Sequence, residues 1–303
     1  MILFRILIPA LIIVKILDYF GATELLGNLT KPLMEPLGLP DIAGLIWATA
    51  FLANIYTAIA VFLTFASTLE WTQAQVTCLG LLMLTTHNMV VELRIAQKAG
   101  CRIFTQLLLR VFCALLFCYL CNLLFSANSW LQEPATFVWQ TTTASSTLLE
   151  WIIEQLINLG KIAIVIFLLI SLLKLLKAVG IERLLTIALQ PLFRFMGLAK
   201  EATTITMVGF TLGLAYGGGL LIKEAQNDKL DRQDVFTSIS LLGICHSLIE
   251  DTLLVMIIGA DFATVLFLRL IMSVIFIAIL VRLTRKASPA FKSRYLVRGL
   301  RPD

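Results

Sequence analysis

Long apolar segments run through almost the whole chain, and they restrict its fold more than any other feature. A helix needs about 20 consecutive apolar residues to cross a bilayer, and segments of about that length recur along the chain, beginning with "MILFRILIPALIIVKILDYF". Hydrophobic residues make up 59% of the 303 residues and charged residues only 14%, against about 25% charged residues in soluble proteins. The sequence therefore predicts an all-α polytopic membrane protein, without a polar region long enough for a soluble domain.

The chain carries an internal repeat with a shift of 159 residues, which is the separation of its only two histidines, His87 and His246. A search for such self-similarity precedes any reading of motifs, because a missed duplication leads to the wrong fold. The same ungapped register aligns further pairs, which are Pro32 and Pro191, Gly38 and Gly197, Glu92 and Asp251, and Arg110 and Arg269. Weak internal symmetry of this kind is typical of transporters.

Loop charges predict how the two repeats are oriented. Lysine and arginine favour the cytoplasmic side of short loops; Arg94, Lys98 and Arg102 lie in one loop, whereas its counterpart 253–261 has no basic residue. We therefore predict that the two halves are inverted with respect to the membrane and that both termini are cytoplasmic. The predicted division is a first inverted repeat at 1–125, an external connector and start of a helix at 126–159, a second inverted repeat at 160–284 and a basic cytoplasmic tail at 285–303.

Inversion requires an odd number of crossings between matching points, so one apolar segment of each half must enter and leave on the same side. The candidate in the second half is "TITMVGFTLGLAYGGGLLIKEAQ", where Gly213 and the run Gly217 to Gly219 permit a sharp turn. Its counterpart in the first half would turn near Asn54. The predicted fold has two inverted-topology repeats with about six crossing helices and two re-entrant helical hairpins. A simple bundle of about eight or more full crossings is the alternative.

Five segments of the chain carry a family resemblance, and they are "KPLMEPLGL", "QPLFRFMGL", "GLAYGGGLLIKEA", "THNMVVE" and "CHSLIED". With these segments the sequence resembles the nucleoside recognition family, also called Gate-domain proteins. It is similar as well to the spore maturation membrane proteins, the membrane part of bacterial ferrous iron transporters and the concentrative nucleoside transporters. The resemblance implies a nucleoside ligand. The chain lacks a GxxxxGK[ST] motif, so we do not expect nucleotide-driven pumping.

Polar residues inside the apolar segments are the candidates for a binding site, because transporters with inverted repeats bind solutes near the membrane midplane. We expect each histidine about halfway along a crossing helix, where an imidazole can bind a solute or accept a proton; a packed core histidine is the alternative. Arg110 is predicted level with the first histidine and Arg269 level with the second, with structural salt bridges as the alternative. The predicted substrate-binding residues are His87, His246, Asn54, Tyr56, Asn88, Tyr216, Gly217, Arg110 and Arg269, and those predicted for proton or ion coupling are Glu92, Glu250 and Asp251.

Two local alternatives bear on these assignments. Glu250 would share a helix face with His246, because the two residues are four apart. Glycines such as Gly217 would line a hairpin tip or, alternatively, serve close helix packing. The positions at which the helices are interrupted decide between these roles.

The sequence predicts a secondary transporter that moves a small polar organic solute, nucleoside-like or anionic, by alternating access. The alternatives are a divalent metal-ion permease, in which Cys245 would join the histidines and acids, and a non-transporting scaffold or partner subunit. We expect no enzymatic activity, catalytic residue, cofactor or resident metal. The expected location is the bacterial inner membrane, and the expected partners are lipid, the solute and a second copy or another membrane subunit, but no nucleic acid.

Overall fold

A computed structural model describes residues 2–66, 69–137, 147–226 and 230–298 of the chain. Within these ranges every regular element is helical, apart from two isolated β-bridges, so the predicted all-α class is confirmed. The main helices are α1 (Ile2–Tyr19), α2 (Ala22–Met34), α3 (Ala43–Leu52), α4 (Ile55–Phe65), α5 (Gln73–Thr86), α6 (Met89–Lys98), α7 (Ile103–Asn128), α8 (Leu148–Ala178), α9 (Ile181–Phe195), α10 (Lys200–Leu212), α11 (Leu214–Gln226), α12 (Arg232–Ile244), α13 (Glu250–Ile257) and α14 (Arg269–Arg285).

Helices long and apolar enough to cross a membrane confirm the multi-pass character of the protein. Among the described residues there are four, namely Gln73–Lys98, Ile103–Asn128, Leu148–Leu176 and Thr264–Arg285, or five if the pair Phe4–Tyr19 and Ala22–Leu37 counts as one broken span. That pair bends by 93°, which agrees with a crossing helix followed by a separate amphipathic stretch. The expected crossing over 235–257 is divided between α12 and α13. The count of six crossings therefore stays a prediction.

The two predicted hairpins are present as pairs of short helices that pack against each other, α3 with α4 and α10 with α11. The first breaks at Asn54, whose side chain caps α4 by accepting hydrogen bonds from the Thr57 backbone N–H at 2.9 Å and hydroxyl at 3.0 Å. The second breaks at Gly213, which has a φ of 88° that a side chain would disfavour. The expected turn at Gly217 to Gly219 is wrong, because these glycines lie inside α11.

Backbone conformation repeats with the same shift of 159 residues as the sequence. The glycines that share a positive φ in this register are Gly21 and Gly180, Gly38 and Gly197, and Gly100 and Gly259. Two residues other than glycine do the same, since Asn88 has a φ of 52° and Ser247 a φ of 45°. Both follow a histidine directly. Because such conformations are rare outside glycine, the coincidence supports a duplication of the whole unit of seven helices, whose orientation in the membrane stays a prediction.

The chain forms two compact units, and each unit takes helices from both repeats. The first unit consists of Met1–Asn88, Leu115–Leu175 and Glu250–Val265, and the second of Met89–Ala114, Leu176–Ile249 and Leu266–Asp303. The chain thus changes unit directly after Asn88 and again directly before Glu250. As a result α6, from the first repeat, belongs to the second unit, and α13, from the second repeat, belongs to the first.

The basic tail is docked on the loop between α6 and α7, within the second unit. Cys101 and Val297 form an antiparallel bridge. The backbone N–H of Arg102 donates to the Leu296 carbonyl at 2.9 Å, and that of Arg298 to the Gly100 carbonyl at 2.7 Å. These bonds fix the tail to the protein as far as Arg298; residues 299–303 of the predicted tail lie outside the described residues.

This docking makes Cys101 unreactive in the folded protein. The residue is fully buried, and burial raises the pKa of its thiol to about 12, so at about pH 8 it stays protonated, whereas the thiolate is the form that reacts. In a variant with the other five cysteines replaced by alanine, we expect maleimide labelling, followed by mass spectrometry, only after denaturation. Deletion of 292–303 should allow labelling without denaturant. Rapid labelling of the folded full-length chain would contradict the docked tail.

Candidate functional site

Both histidines lie at breaks between helices. His87 is near the middle of the span Gln73–Lys98, as predicted, but the helix is interrupted there. α5 ends before His87, which has a ψ of 158°, and the positive φ of Asn88 turns the chain into α6. α12 likewise ends before Cys245, whose φ and ψ are −146° and 85°, and His246 and Ser247 precede α13. The side chains of both histidines remain buried, at 6% and 3% exposure.

The first arm of a hairpin holds each break in place. In the first unit the backbone N–H of Asn88 donates to the carbonyl of Ala50 in α3 at 2.9 Å. In the second unit Leu248 donates in the same way to Phe210 in α10 at 3.0 Å. An interrupted helix leaves N–H groups that must find other acceptors in an apolar environment. Carbonyl groups near the end of each hairpin's first helix therefore accept hydrogen bonds from the N–H groups at the interruptions beside the histidines.

Hydrogen bonds to the preceding helical turn fix the orientation of both imidazoles. Nδ1 of His87 lies 3.1 Å from the carbonyl oxygen of Met83, and Nδ1 of His246 lies 2.6 Å from that of Leu242. A carbonyl oxygen can only accept, so each Nδ1 carries the hydrogen. In each neutral ring Nε2 therefore carries the lone pair, and it points away from the preceding helix.

In the first unit, Nε2 of His87 lies 3.6 Å from Oδ2 of Asp251 on α13. Both side chains are more than nine-tenths buried. On the same helix, Glu250 accepts a 2.7 Å hydrogen bond from the hydroxyl of Tyr56 on α4. We expected Glu250 and His246 to share one face of a continuous helix. This is wrong, because the helix is interrupted between the two residues.

In the second unit, Glu92 lies between a histidine and an arginine. Its Oε1 is 3.3 Å from Nε2 of His246, and its Oε2 accepts a 2.5 Å hydrogen bond from Arg110. All three side chains are at least 95% buried. The prediction grouped Arg110 with the histidine of its own repeat, His87, whereas the structure joins it through Glu92 to the histidine of the other repeat. The reason is that the chain passes into the second unit after residue 88, so α6 and Glu92 belong to the same unit as His246.

Comparison with known proteins agrees with this architecture. Residues 1–101 match the model of a family described as Gate, nucleoside recognition. A protein described as uncharacterized membrane protein YvoD, from Bacillus subtilis (strain 168), is 25% identical over 290 residues, which cover 94% of this chain and 91% of the relative. No solved structure matches the chain. The predicted resemblance to the nucleoside recognition family is thereby confirmed over residues 1–101, and the chain is a membrane protein similar to that family.

The residues that match the family model contain His87, Glu92 and the first hairpin. In both histidine pairs, a ring nitrogen with a lone pair faces a carboxylate oxygen. Two acceptors attract each other only when a proton lies between them, and a carboxylate with an arginine partner holds its negative charge. Each pair can therefore hold one proton between a ring nitrogen and a carboxylate oxygen.

Other predicted site residues have structural roles in this conformation. Asn54 is the cap of α4, and Asn88 provides the positive φ at the first break. Gly217 lies in the first turn of α11, where a Cβ would come within 2.3 Å of the Gly209 Cα. The side chain of Tyr216 lies outside the described part of the structure. Close packing, the alternative given for the glycines, is thus the observed role of Gly217.

Arg269, the counterpart of Arg110, has a different environment. It is completely buried, and its Nε and both terminal nitrogens have no hydrogen-bond partner among the described residues. The backbone carbonyl of Arg269 accepts a 2.7 Å hydrogen bond from Ser273, but this bond does not involve the guanidinium. Two arginines that are equivalent in sequence are therefore not equivalent in charge balance.

Sequence reasoning missed a set of polar bonds between the helices of the second unit. Gln106 on α7 donates to Ser240 on α12 at 2.9 Å, and Thr206 on α10 donates to Ser238 on α12 at 2.7 Å. Small polar residues on otherwise apolar helices are the signal for such bonds, because they join helices where lipid offers no hydrogen bonds. These contacts hold α12, and with it the break at His246, against its neighbours.

Proposed function

We propose that the protein is a proton-linked secondary transporter of a small polar organic solute. The observation that carries the proposal is the pair of buried histidine–carboxylate contacts, His87 with Asp251 and His246 with Glu92. Each contact joins a histidine of one repeat to an acid of the other. Ionisable residues inside membrane segments are costly, and they commonly mark ion and proton pathways. The family description, nucleoside recognition, supports a solute rather than a purely structural role.

The arrangement links proton binding to solute binding. A solute that hydrogen-bonds to Nε2 of either histidine competes with the carboxylate for that nitrogen, and it thereby changes the affinity of the pair for its proton. Linkage of this kind is reciprocal, so a proton gradient can drive accumulation of the solute. Alternating access by two inverted repeats in the bacterial inner membrane, with both termini cytoplasmic, completes the proposal.

A polar organic solute fits the residues better than a divalent metal ion. Glu92, the carboxylate 3.3 Å from Nε2 of His246, also binds Arg110. The guanidinium charge would repel a cation at this carboxylate, whereas hydroxyl and amide groups can share its oxygen atoms and the imidazole. A nucleoside-like solute offers such groups.

Uptake into proteoliposomes tests the proposal, with a panel of nucleosides, organic acids and divalent metals offered with and without an inward proton gradient. We expect accumulation of an organic solute that the gradient stimulates. His87→Gln and His246→Gln should each reduce this stimulation about tenfold or more, the equivalent of one hydrogen bond to a charged group. Gly219→Ala, at a position where a Cβ meets no atom within 4 Å, is the matched control and should retain it.

Three outcomes would contradict the proposal. Uptake of divalent metals alone would favour the permease, and absence of any uptake would favour the scaffold. Stimulation that survives in both histidine variants would show that the histidine pairs do not couple protons.

A further inference from the structure

We infer that Arg269 is the anchor for an oxyanion, a carboxylate or phosphate group, of the transported solute, which makes the solute an organic anion. The inference rests on the proposed transport function and narrows its solute class. Its starting point is the contrast between the two equivalent arginines, of which one is paired and the other is buried without a described partner.

The energetic argument concerns an uncompensated charge. Transfer of an isolated ion from water to a medium of low dielectric is strongly unfavourable, even after the surrounding protein relaxes. Arg110 offsets this cost through Glu92, whereas all three guanidinium nitrogens of Arg269 lack a hydrogen-bond acceptor among the described residues. Arginine does not lose its proton in proteins. An anion that binds there removes the cost, so this residue binds anions more strongly than a paired arginine would.

The acidic residues of α14 and α12 show whether a carboxylate of the protein could take the place of such an anion. α14 contains no acidic residue, and α12, which packs against it, has Asp234 alone. Gln233, beside Asp234, donates a 2.8 Å hydrogen bond to Thr284 near the far end of α14. With a rise of about 1.5 Å per residue, Arg269 lies roughly 20 Å from that end. Neither helix therefore places a carboxylate beside the guanidinium.

The shape of the group selects the ligand chemistry. A guanidinium presents its donors in a planar fork that matches carboxylate and phosphate oxygen atoms in pairs. Halide ions lack this geometry, and neutral nucleosides lack the charge. The chemistry of Arg269 thus favours a solute with an oxyanion over an uncharged nucleoside.

Binding to the purified full-length protein in detergent tests the inference without any transport. The probes are adenosine, adenosine monophosphate, benzoate and inorganic phosphate, and isothermal titration calorimetry measures their binding. Comparison of the phosphate probes with benzoate shows whether Arg269 binds a phosphate or a carboxylate. We expect the charged probes of at least one arm to bind and adenosine to bind at least about tenfold more weakly. Arg269→Gln should weaken binding of the charged probe about tenfold to a hundredfold. Arg282→Gln, the same change on an exposed residue of the same helix, should leave binding unchanged.

The thermal stability of the variants without any probe adds a second readout. Because Arg269→Gln removes an uncompensated charge, it should leave the melting temperature unchanged or raise it, whereas Arg110→Gln should lower it. Equal loss of stability in both variants, with oxyanion binding unaffected by Arg269→Gln, would overturn the inference. So would uptake of a neutral nucleoside without oxyanion binding, although the proposed transport would stand. Arg269-dependent binding in a protein that transports nothing would support the oxyanion site while the proposed function failed.

Discussion

Replacement of Glu92 by alanine is expected to lower the free energy of unfolding by about 3–5 kcal/mol, the usual cost of removing one partner from a buried ion pair. Glu92 is 4% exposed, and it binds both Arg110 and His246. Without its carboxylate, the guanidinium would stay charged in an apolar environment. Denaturant or thermal unfolding of the purified protein in detergent measures the loss.

A compensating double variant separates the charge effect from the loss of packing. Glu92→Leu with Arg110→Met removes both charges and retains apolar volume, and such replacements are often neutral. We expect the double variant to recover most of the stability but not the proton-stimulated uptake, because His246 would lack its carboxylate. If Glu92→Ala alone stayed within about 1 kcal/mol of the unmodified protein, an exposed and weak ion pair would be indicated instead.

Gly217→Ala is the second substitution with a large expected effect, a loss of about 2–4 kcal/mol, as in strongly overpacked cores. The added Cβ would lie 2.3 Å from the Cα and 2.5 Å from the backbone nitrogen of Gly209. Backbone atoms cannot rotate away as a flexible side chain can, so α10 and α11 would have to separate. A lower melting temperature and reduced yield in the membrane fraction would report the change.

Gly219→Ala is the matched control for this prediction, since it makes the same substitution two residues later in the same helix. A Cβ at Gly219 meets no atom within 4 Å, and alanine favours a helix over glycine by about 1 kcal/mol. Its stability should be unchanged or slightly higher. Equal stability of the two variants would mean that the hairpin arms are not in close contact.

The 159-residue register predicted which residues of the two halves are equivalent, but it did not predict which residues are in contact. The shift of 159 residues predicted that the two halves are equivalent, and positive φ angles recur in that register. The predicted turn near Asn54 is present, and Asn54 caps the helix that follows it. Such features are local, so one segment of sequence is sufficient to indicate them.

The histidine partners of the acids could not be predicted in the same way, because they depend on distant segments. Glu92 pairs with Arg110 of its own repeat, as expected, but its histidine is that of the other repeat, because α6 packs with α11. The run from Gly217 to Gly219 was also misleading, because glycine serves both sharp turns and close packing. The partner of a helix decides between these roles, and periodicity within one segment does not contain that information.

The exchange of α6 and α13 between the repeats has a consequence for biogenesis. More than half of the chain separates His87 from Asp251, so a ribosome must translate most of the protein before the first histidine can meet its acid. Glu92 similarly waits for His246. Neither half, inserted alone, can form its histidine–carboxylate pair, and two separately expressed halves would regain both pairs only by associating. Maturation of this membrane protein is therefore a late event in translation, and a truncated chain would present its unpaired charges to the machinery of quality control.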